Sequence, residues 1–278
     1  MRNKRDERTT LNAKNEMLTR TEGLVLRTQQ YGEADLIVTY LTLSKGIIKA
    51  FAKSPRKTKS RFGSSMEPLT YARISLWGKE QSMPRITQSD IINSFCSLRE
   101  SFKDFTYASK LIEILISITP EGIPNKKLFS FLLGVLNFAE IQITKNSKLR
   151  TKNWDLRNKN KDTMYLIFQV RLLVMLGYAP RLKGCGKCGV KSPDFYPHIG
   201  TALCGRCAVP SVKGRELPLR LTDSTINFYS HSIEWPINIS TRLKPHHETV
   251  SRLSSVMDEH LTYLLGKKLM TSEFLAKI

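Results

Sequence analysis

Two pairs of cysteines carry the clearest chemistry in the chain. Cys185-Gly-Lys-Cys188 and Cys204-Gly-Arg-Cys207 form a C-x2-C, an interval of fifteen residues, and a second C-x2-C. Each knuckle offers two thiolates from one tight turn, and Zn2+ takes four such ligands in a tetrahedron. Gly186 and Gly205 are expected to let the backbone wrap the ion. Lys187 and Arg206 offset the negative charge of a tetrathiolate centre. Four thiolates fill the coordination shell, so the zinc is read as structural rather than catalytic. A redox dithiol pair or four independent thiols are the alternatives. The deaminase signature H-x-E with P-C-x-x-C is absent. His198, between the knuckles, is read as a loop histidine, and Cys96 as a buried, small, apolar residue.

A second constellation is basic. Residues 53–61 read Lys-Ser-Pro-Arg-Lys-Thr-Lys-Ser-Arg, five of nine cationic and none acidic. Such a run neutralises phosphates and releases their counterions. In the preceding segment, strand alternation puts Ile47, Lys49, Phe51 and Lys53 on one face, and Ile48, Ala50 and Ala52 on the other. Cations interleaved with an aromatic suit a single strand, whose backbone tracks charge while its bases stack on rings. The candidate nucleic-acid contacts are therefore Arg27, Lys49, Phe51, Lys53, Arg56, Lys57, Lys59 and Arg61, with Phe62 extending the surface. The alternative is a solvated loop with Phe51 buried. Tyr31, Tyr71 and Trp77 are assigned to the barrel core. Gly184–Ser192 reads GCGKCGVKS, near a phosphate loop but one residue out of register, and two of its residues are metal ligands. Glu33 and Asp35 are read as a turn pair; a nuclease built on them is a minor alternative. His231, His246 and His247 lie in no motif, and no catalytic residue is assigned.

The elements that position these residues come from 278 residues, enough for one or two domains. The hydrophobic share is 41% and the net charge +20, which points to a polyanion partner, nucleic acid before an anionic membrane. The charged N-terminus lacks the apolar stretch of an export signal. Leu128–Ile143 is too short and too polar to span a bilayer. The expected location is the reducing cytoplasm, associated with the nucleoid. Residues 1–18 read as a mobile basic tail, with Met17 as an alternative start. Five short strands follow over 19–95, matching an OB-type barrel, with an SH3-like barrel close behind. From Cys96 the period shifts toward 3.6. Helices are expected along Phe105–Ile116, after Pro124, from Asp162 or Thr163 to Leu176, and along Val250–Leu265. The basic stretch 145–161 reads as a linker. The fold class is α+β: a barrel at 19–95, then a helical domain at 96–278 with a zinc ribbon inserted at 181–213.

The order of these features resembles the bacterial RecO family. Gly23-Leu-Val-Leu-Arg27, Tyr31-Gly-Glu-Ala-Asp-Leu-Ile-Val38, Gly46, Arg61-Phe62-Gly63 and Pro68 resemble its amino-terminal barrel. The helical middle and the knuckles that follow Leu176-Gly177-Tyr178 and Pro180 resemble its carboxy-terminal domain. The resemblance covers residue 19 to the end. It implies a recombination mediator in DNA repair, not an enzyme. Such proteins bind ssDNA and dsDNA and anneal complementary strands. They act on strands coated by single-strand-binding protein (SSB), engaging its C-terminal tail, and with RecR they help load RecA. It also implies that Arg27, Lys53, Arg56, Lys57, Lys59 and Arg61 lie on a DNA-facing surface and that the four knuckle cysteines hold zinc. One segment departs from the pattern. Where the family has H-L-G-x-x-L-K-S-R, this chain has Leu264 for the histidine, Met270 for the lysine, and an acidic Glu273. The rival reading is an RNA-associated zinc-ribbon protein without annealing activity.

Overall fold

The structure, a computed structural model, describes residues 17–55, 62–79, 82–148, 154–209 and 217–275, with backbone alone for 146–148 and 154–160. The chain forms two compact units. One comprises the residues up to Ser101 together with Pro120–Lys145; the other comprises Phe102–Thr119 with Asn146–Ile278.

In the first unit, the strands are β1 (Met17–Tyr31), β2 (Asp35–Thr42), β3 (Gly46–Ala52), β4 (Tyr71–Gly78) and β5 (Arg85–Asn93). They form a ring in the order β1-β2-β3-β5-β4. Every pairing is antiparallel except β3 with β5, which is parallel and holds one registered pair, Phe51 with Arg85. This is the partly open Greek-key ring of an OB-type barrel, and its strand order sets aside the SH3-like alternative. Alternation fills the inside with Val38, Tyr40, Ala50, Ala52, Ile74, Leu76 and Ile86. The two alanines leave room for the buried Tyr40 ring, whose hydroxyl donates to Met66 Sδ at 3.2 Å. Phe62 and Met66 plug the same core. Phe62 therefore does not extend the outer surface as expected; a large apolar ring is worth more inside.

Helix α1 (Cys96–Glu100) follows the barrel, and helix α3 (Lys126–Lys148) belongs to the same unit as far as Lys145. The residues before α3 strap across β3. Gly122 N–H donates to Ile47 C=O at 2.8 Å, and Ile47 bridges Glu121. Ile47 is thereby buried although it points outward. By length and composition Lys126–Lys145 is the one membrane-length apolar helix among the described residues. Six of its apolar positions, Leu128, Phe129, Leu132, Val135, Leu136 and Ala139, are buried within the protein, while Ile141 is exposed. Phe129 meets the Tyr71 ring edge at 6.1 Å, and the Asn93 amide donates to Glu140.

The second unit contains α2 (Phe102–Ile118), α4 (Trp154–Leu176), α5 (Gly205–Ala208), α6 (Asp223–Glu234), α7 (Ile237–Ser240), α8 (His247–Leu265) and α9 (Met270–Leu275). Strands β6 (Asp194–Tyr196), β7 (Thr201–Ala202) and β8 (Leu219–Arg220) make a small sheet in the order β7-β6-β8. The central α4 packs on α2, α6 and α8. It starts at Trp154, not at Asp162 or Thr163, and α3 continues to Lys148, so much of the expected linker 145–161 is helical. Polar Lys, Arg and Asn do not stop a helix as Pro and Gly do. Asp162, read as a cap, instead accepts the Tyr107 hydroxyl at 2.7 Å and pairs with Lys103 at 2.8 Å. The atypical C-terminal segment forms α9, whose first N–H groups (Met270 and Thr271) donate to the Glu113 carboxylate of α2.

Gly46 has a φ of +66°, and a Cβ there would lie 2.1 Å from the Ile123 carbonyl oxygen. Gly134, within α3, has nothing within 4 Å of its Cβ position. Gly46→Ala is expected to destabilise by more than about 2 kcal/mol, from left-handed strain plus the clash with the strap. Gly134→Ala is expected to stabilise by about 1 kcal/mol. Denaturant unfolding of the two variants measures both.

Candidate nucleic-acid interface and metal centre

Strands β1, β2 and β3 place Arg27, Thr39 and Lys49 in one registered row, and Gln29, Ile37 and Phe51 in the next. Arg27 is exposed just past a bulge in β1, between Val25 and Arg27. Phe51 points outward, half-buried, as the alternation requires. Lys53 is exposed immediately after β3. Lys49 is also outward but pairs with Glu121 of the strap at 2.6 Å, so part of its charge is already answered. Arg56, Lys57, Lys59 and Arg61 lie outside the described residues.

Two aromatics expected in the core are on the surface. Tyr31 is 58% exposed and Trp77 is 45% exposed. Tyr31 meets Phe51 edge to face, with centroids 5.9 Å apart. Residues 38, 40, 50 and 52 already fill the narrow interior with Tyr40 as its large member, and the outward parity of Tyr31 and Trp77 excludes them from it. Tyr71 is half-buried, its hydroxyl donating to Glu22. Asp35 accepts the Ser54 N–H at 2.7 Å, so its carboxylate ties the start of β2 to the chain just after β3 rather than its own turn.

The four knuckle cysteines come together. Their sulfurs all lie within 4.8 Å of one another, with Cys188 Sγ and Cys204 Sγ 3.5 Å apart. Metal–thiolate bonds of about 2.3 Å in a tetrahedron put sulfurs about 3.8 Å apart, so the donor set fits an ion of that kind. None of the four is in a disulfide. The first knuckle is closed by Gly189 N–H to Cys185 C=O (2.8 Å) and Cys185 N–H to Val190 C=O (2.7 Å). Glycine is needed at Gly184 and Gly189, which have φ of +69° and +77°, and at Gly186, where a Cβ would meet Thr201 Oγ1 at 2.2 Å. Gly205 has no such need: its Cβ position is open and its φ is not left-handed. Backbone hydrogen bonds from Cys204 and Cys188 bring the Cys185 thiol down to about 6. Shared hydrogen bonds with Cys204 and Cys188 push Cys207 up to about 12. The backbone thus favours the first thiolate and the sulfurs oppose the last, a charge deficit that a dication supplies.

His198 takes no part in the cluster; its ring lies between those of Tyr196 and Tyr263, 6.1 and 6.0 Å away. Sequence reasoning missed His260, a buried residue of α8. Its Nε2 lies 2.8 Å from the Tyr178 carbonyl, and its ring meets Phe195 of β6, tying the cysteine-bearing sheet to the helices. Cys96, expected buried, is exposed at the start of α1, with Sγ 3.0 Å from the Ser94 hydroxyl.

A basic chain with an OB-type barrel, outward aromatics and a helical unit bearing a four-cysteine cluster defines a class of two-unit, OB-barrel scaffold. Comparison with known proteins gives that class a family. The family described as "Recombination protein O N terminal" matches residues 17–95, and "Recombination protein O C terminal" matches residues 155–273. A protein of Thermodesulfovibrio yellowstonii named "DNA repair protein RecO" is 37% identical over 248 residues, covering 88% of this chain and 93% of its own. A Pelotomaculum thermopropionicum protein of the same name is 28% identical over 261 residues, covering 93% of each. The chain belongs to the RecO family of DNA repair and recombination proteins.

With an ion held at this cluster, chelation is expected to lower the thermal unfolding midpoint by at least about 5 °C. Cys188→Ser should lose the ion and unfold at lower temperature, whereas Cys96→Ser should retain one ion per chain. Elemental analysis paired with calorimetry reads both.

Proposed function

We propose that this chain is a non-enzymatic recombination mediator. It binds ssDNA and dsDNA, anneals complementary strands and, with RecR, helps load RecA onto strands coated by SSB, whose C-terminal tail it engages. The observation that carries this reading is the barrel's outer face, where Arg27, Phe51 and Lys53 stand outward together in a RecO-family chain of net charge +20. The barrel at 19–95 is the DNA-binding domain in this account. The basic run through Arg56, Lys57, Lys59 and Arg61 supplies further phosphate-neutralising charge in this account. The four-cysteine centre holds structural Zn2+. The site of action is the cytoplasm, at the nucleoid.

The mechanism is electrostatic. Two strands repel through their phosphates; a cationic scaffold lowers that repulsion and leaves base edges available for pairing. No nucleotide is consumed, because pairing itself is downhill.

The test is annealing of complementary strands precoated with single-strand-binding protein, in magnesium buffer without nucleotide. The chain should accelerate pairing. Contacts to four or five single-strand phosphates imply a log–log salt slope of about −3 for binding. Replacing Arg56, Lys57, Lys59 and Arg61 together by Ala should flatten that slope by about 2 to 3 and abolish the acceleration. Binding without acceleration, with preference for structured RNA, would favour the RNA-associated alternative.

A further inference from the structure

The barrel carries a second surface feature that the basic run does not explain. Register pairs Phe51 with Ile37 on one side and with Arg85 on the other, and Arg85 with Trp77. Directly paired residues share a face of the sheet. That face is the outer one, because the alternate positions Ala50, Ala52, Leu76 and Ile86 are in the core. The parallel seam between β3 and β5 therefore sets Arg85 between Phe51 and Trp77 on the outer face. Strand spacing puts Phe51 and Trp77 about 10 Å apart across it. Tyr31, against Phe51, lengthens the row on the opposite side.

Nearby acids sort the cations of this unit. Lys49 pairs with Glu121, Arg73 with Glu22 at 3.8 Å, and Arg99 with Glu67. Among the described residues Arg27, Lys53 and Arg85 have no ion pair, and Phe51 stands in their midst. These three lie beside the rings; Arg20, Lys45, Lys126 and Lys127, also without an ion pair among the described residues, lie elsewhere on the unit. A single exposed aromatic is ordinary on a protein surface, but a registered row of them around a cation is a recognition surface. Rings stack on unpaired bases of any sequence, and Arg both stacks and holds phosphate.

We infer that the row Tyr31–Phe51–Arg85–Trp77 is a stacking track for unpaired bases, and that it makes this protein prefer single strands to the duplex it forms. The inference rests on the mediator reading above. Bases in a duplex are already stacked on each other and cannot lie on the rings. Pairing therefore withdraws them from the track, the product is held by phosphate contacts alone, and it leaves more easily than the substrates.

The test measures affinity of the full chain for an oligo-dT strand and for a duplex of equal length by fluorescence anisotropy, across a salt series. Trp77→Ala and Phe51→Ala should each weaken oligo-dT binding about tenfold, leave the duplex within twofold, and keep the salt slope. Trp77→Phe should retain most of the affinity. Arg85→Ala should weaken oligo-dT binding and reduce its slope by about 0.7. Unfolding scans confirm that each variant is folded; should Trp77→Ala not fold, Tyr31→Ala reads the same row. Equal losses for strand and duplex, or unchanged oligo-dT binding, overturn the track while wild-type DNA binding keeps the mediator reading intact. A wild-type chain that binds neither nucleic acid overturns both.

Discussion

The first unit depends on one parallel contact, where Phe51 meets Arg85 and the Phe51 N–H donates to the Pro84 carbonyl at 2.8 Å. Strands β1, β2 and β3 form a continuous meander, and β4 with β5 a hairpin joined to it through β1. Only the seam between β3 and β5 turns this sheet into a ring. Parallel pairing is slightly weaker per residue than antiparallel, so the closure is thin. Its support comes from inside: Ala50 and Ala52 let the walls approach, while Tyr40, Phe62 and Met66 fill the interior. The same contact decides which outer side chains become neighbours, and hence what surface the barrel would offer a nucleic acid.

Net charge alone does not describe that surface. Several cations of this chain are structural. Lys110 is nearly buried and holds Asp258 at 2.7 Å, and Lys161 holds the buried Asp104, which also accepts the Tyr165 hydroxyl at 3.2 Å. Removing one partner of such a pair is costly because the other charge stays out of water. Glu121, Glu22 and Glu67 answer three further cations on the first unit. Beside Phe51, the cations without an ion pair among the described residues are Arg27, Lys53 and Arg85. In the proposed reading the cysteine centre serves order, not reaction: an ion held by all four sulfurs would have no coordination position left for a substrate, and His260 ties the adjoining sheet to the helices.

The parts legible in the sequence were those governed by local rules. Knuckle spacing is short-range geometry, so the four cysteines could be named before their sulfurs were seen to converge. Alternation along β3 gave the correct parity for Lys49, Phe51 and the two alanines. Features set by distant segments were not legible. Glu121 lies far along the chain from Lys49, and nothing near Lys49 announces it. The same strap buries Ile47 on the outer face. Tyr31 and Trp77 were misplaced because aromatic character suggests a core, whereas their parity and a filled interior put them outside. Cys96 was misplaced for a related reason: small thiols are usually buried, but here α1 opens at the surface. The start of α4 was obscured by polar residues that permit a helix without advertising it.

The central claim is that nucleic acid binds the outer face of the barrel. Hydrogen–deuterium exchange of the full chain, with and without a saturating oligo-dT strand at low salt, tests it most directly. The account predicts slowed exchange at the amides around Gly32–Asp35 and Met83–Arg85, which flank the Phe51 row, with protection lost as salt is raised. Protection confined to the second unit, with the barrel amides unchanged, would contradict it.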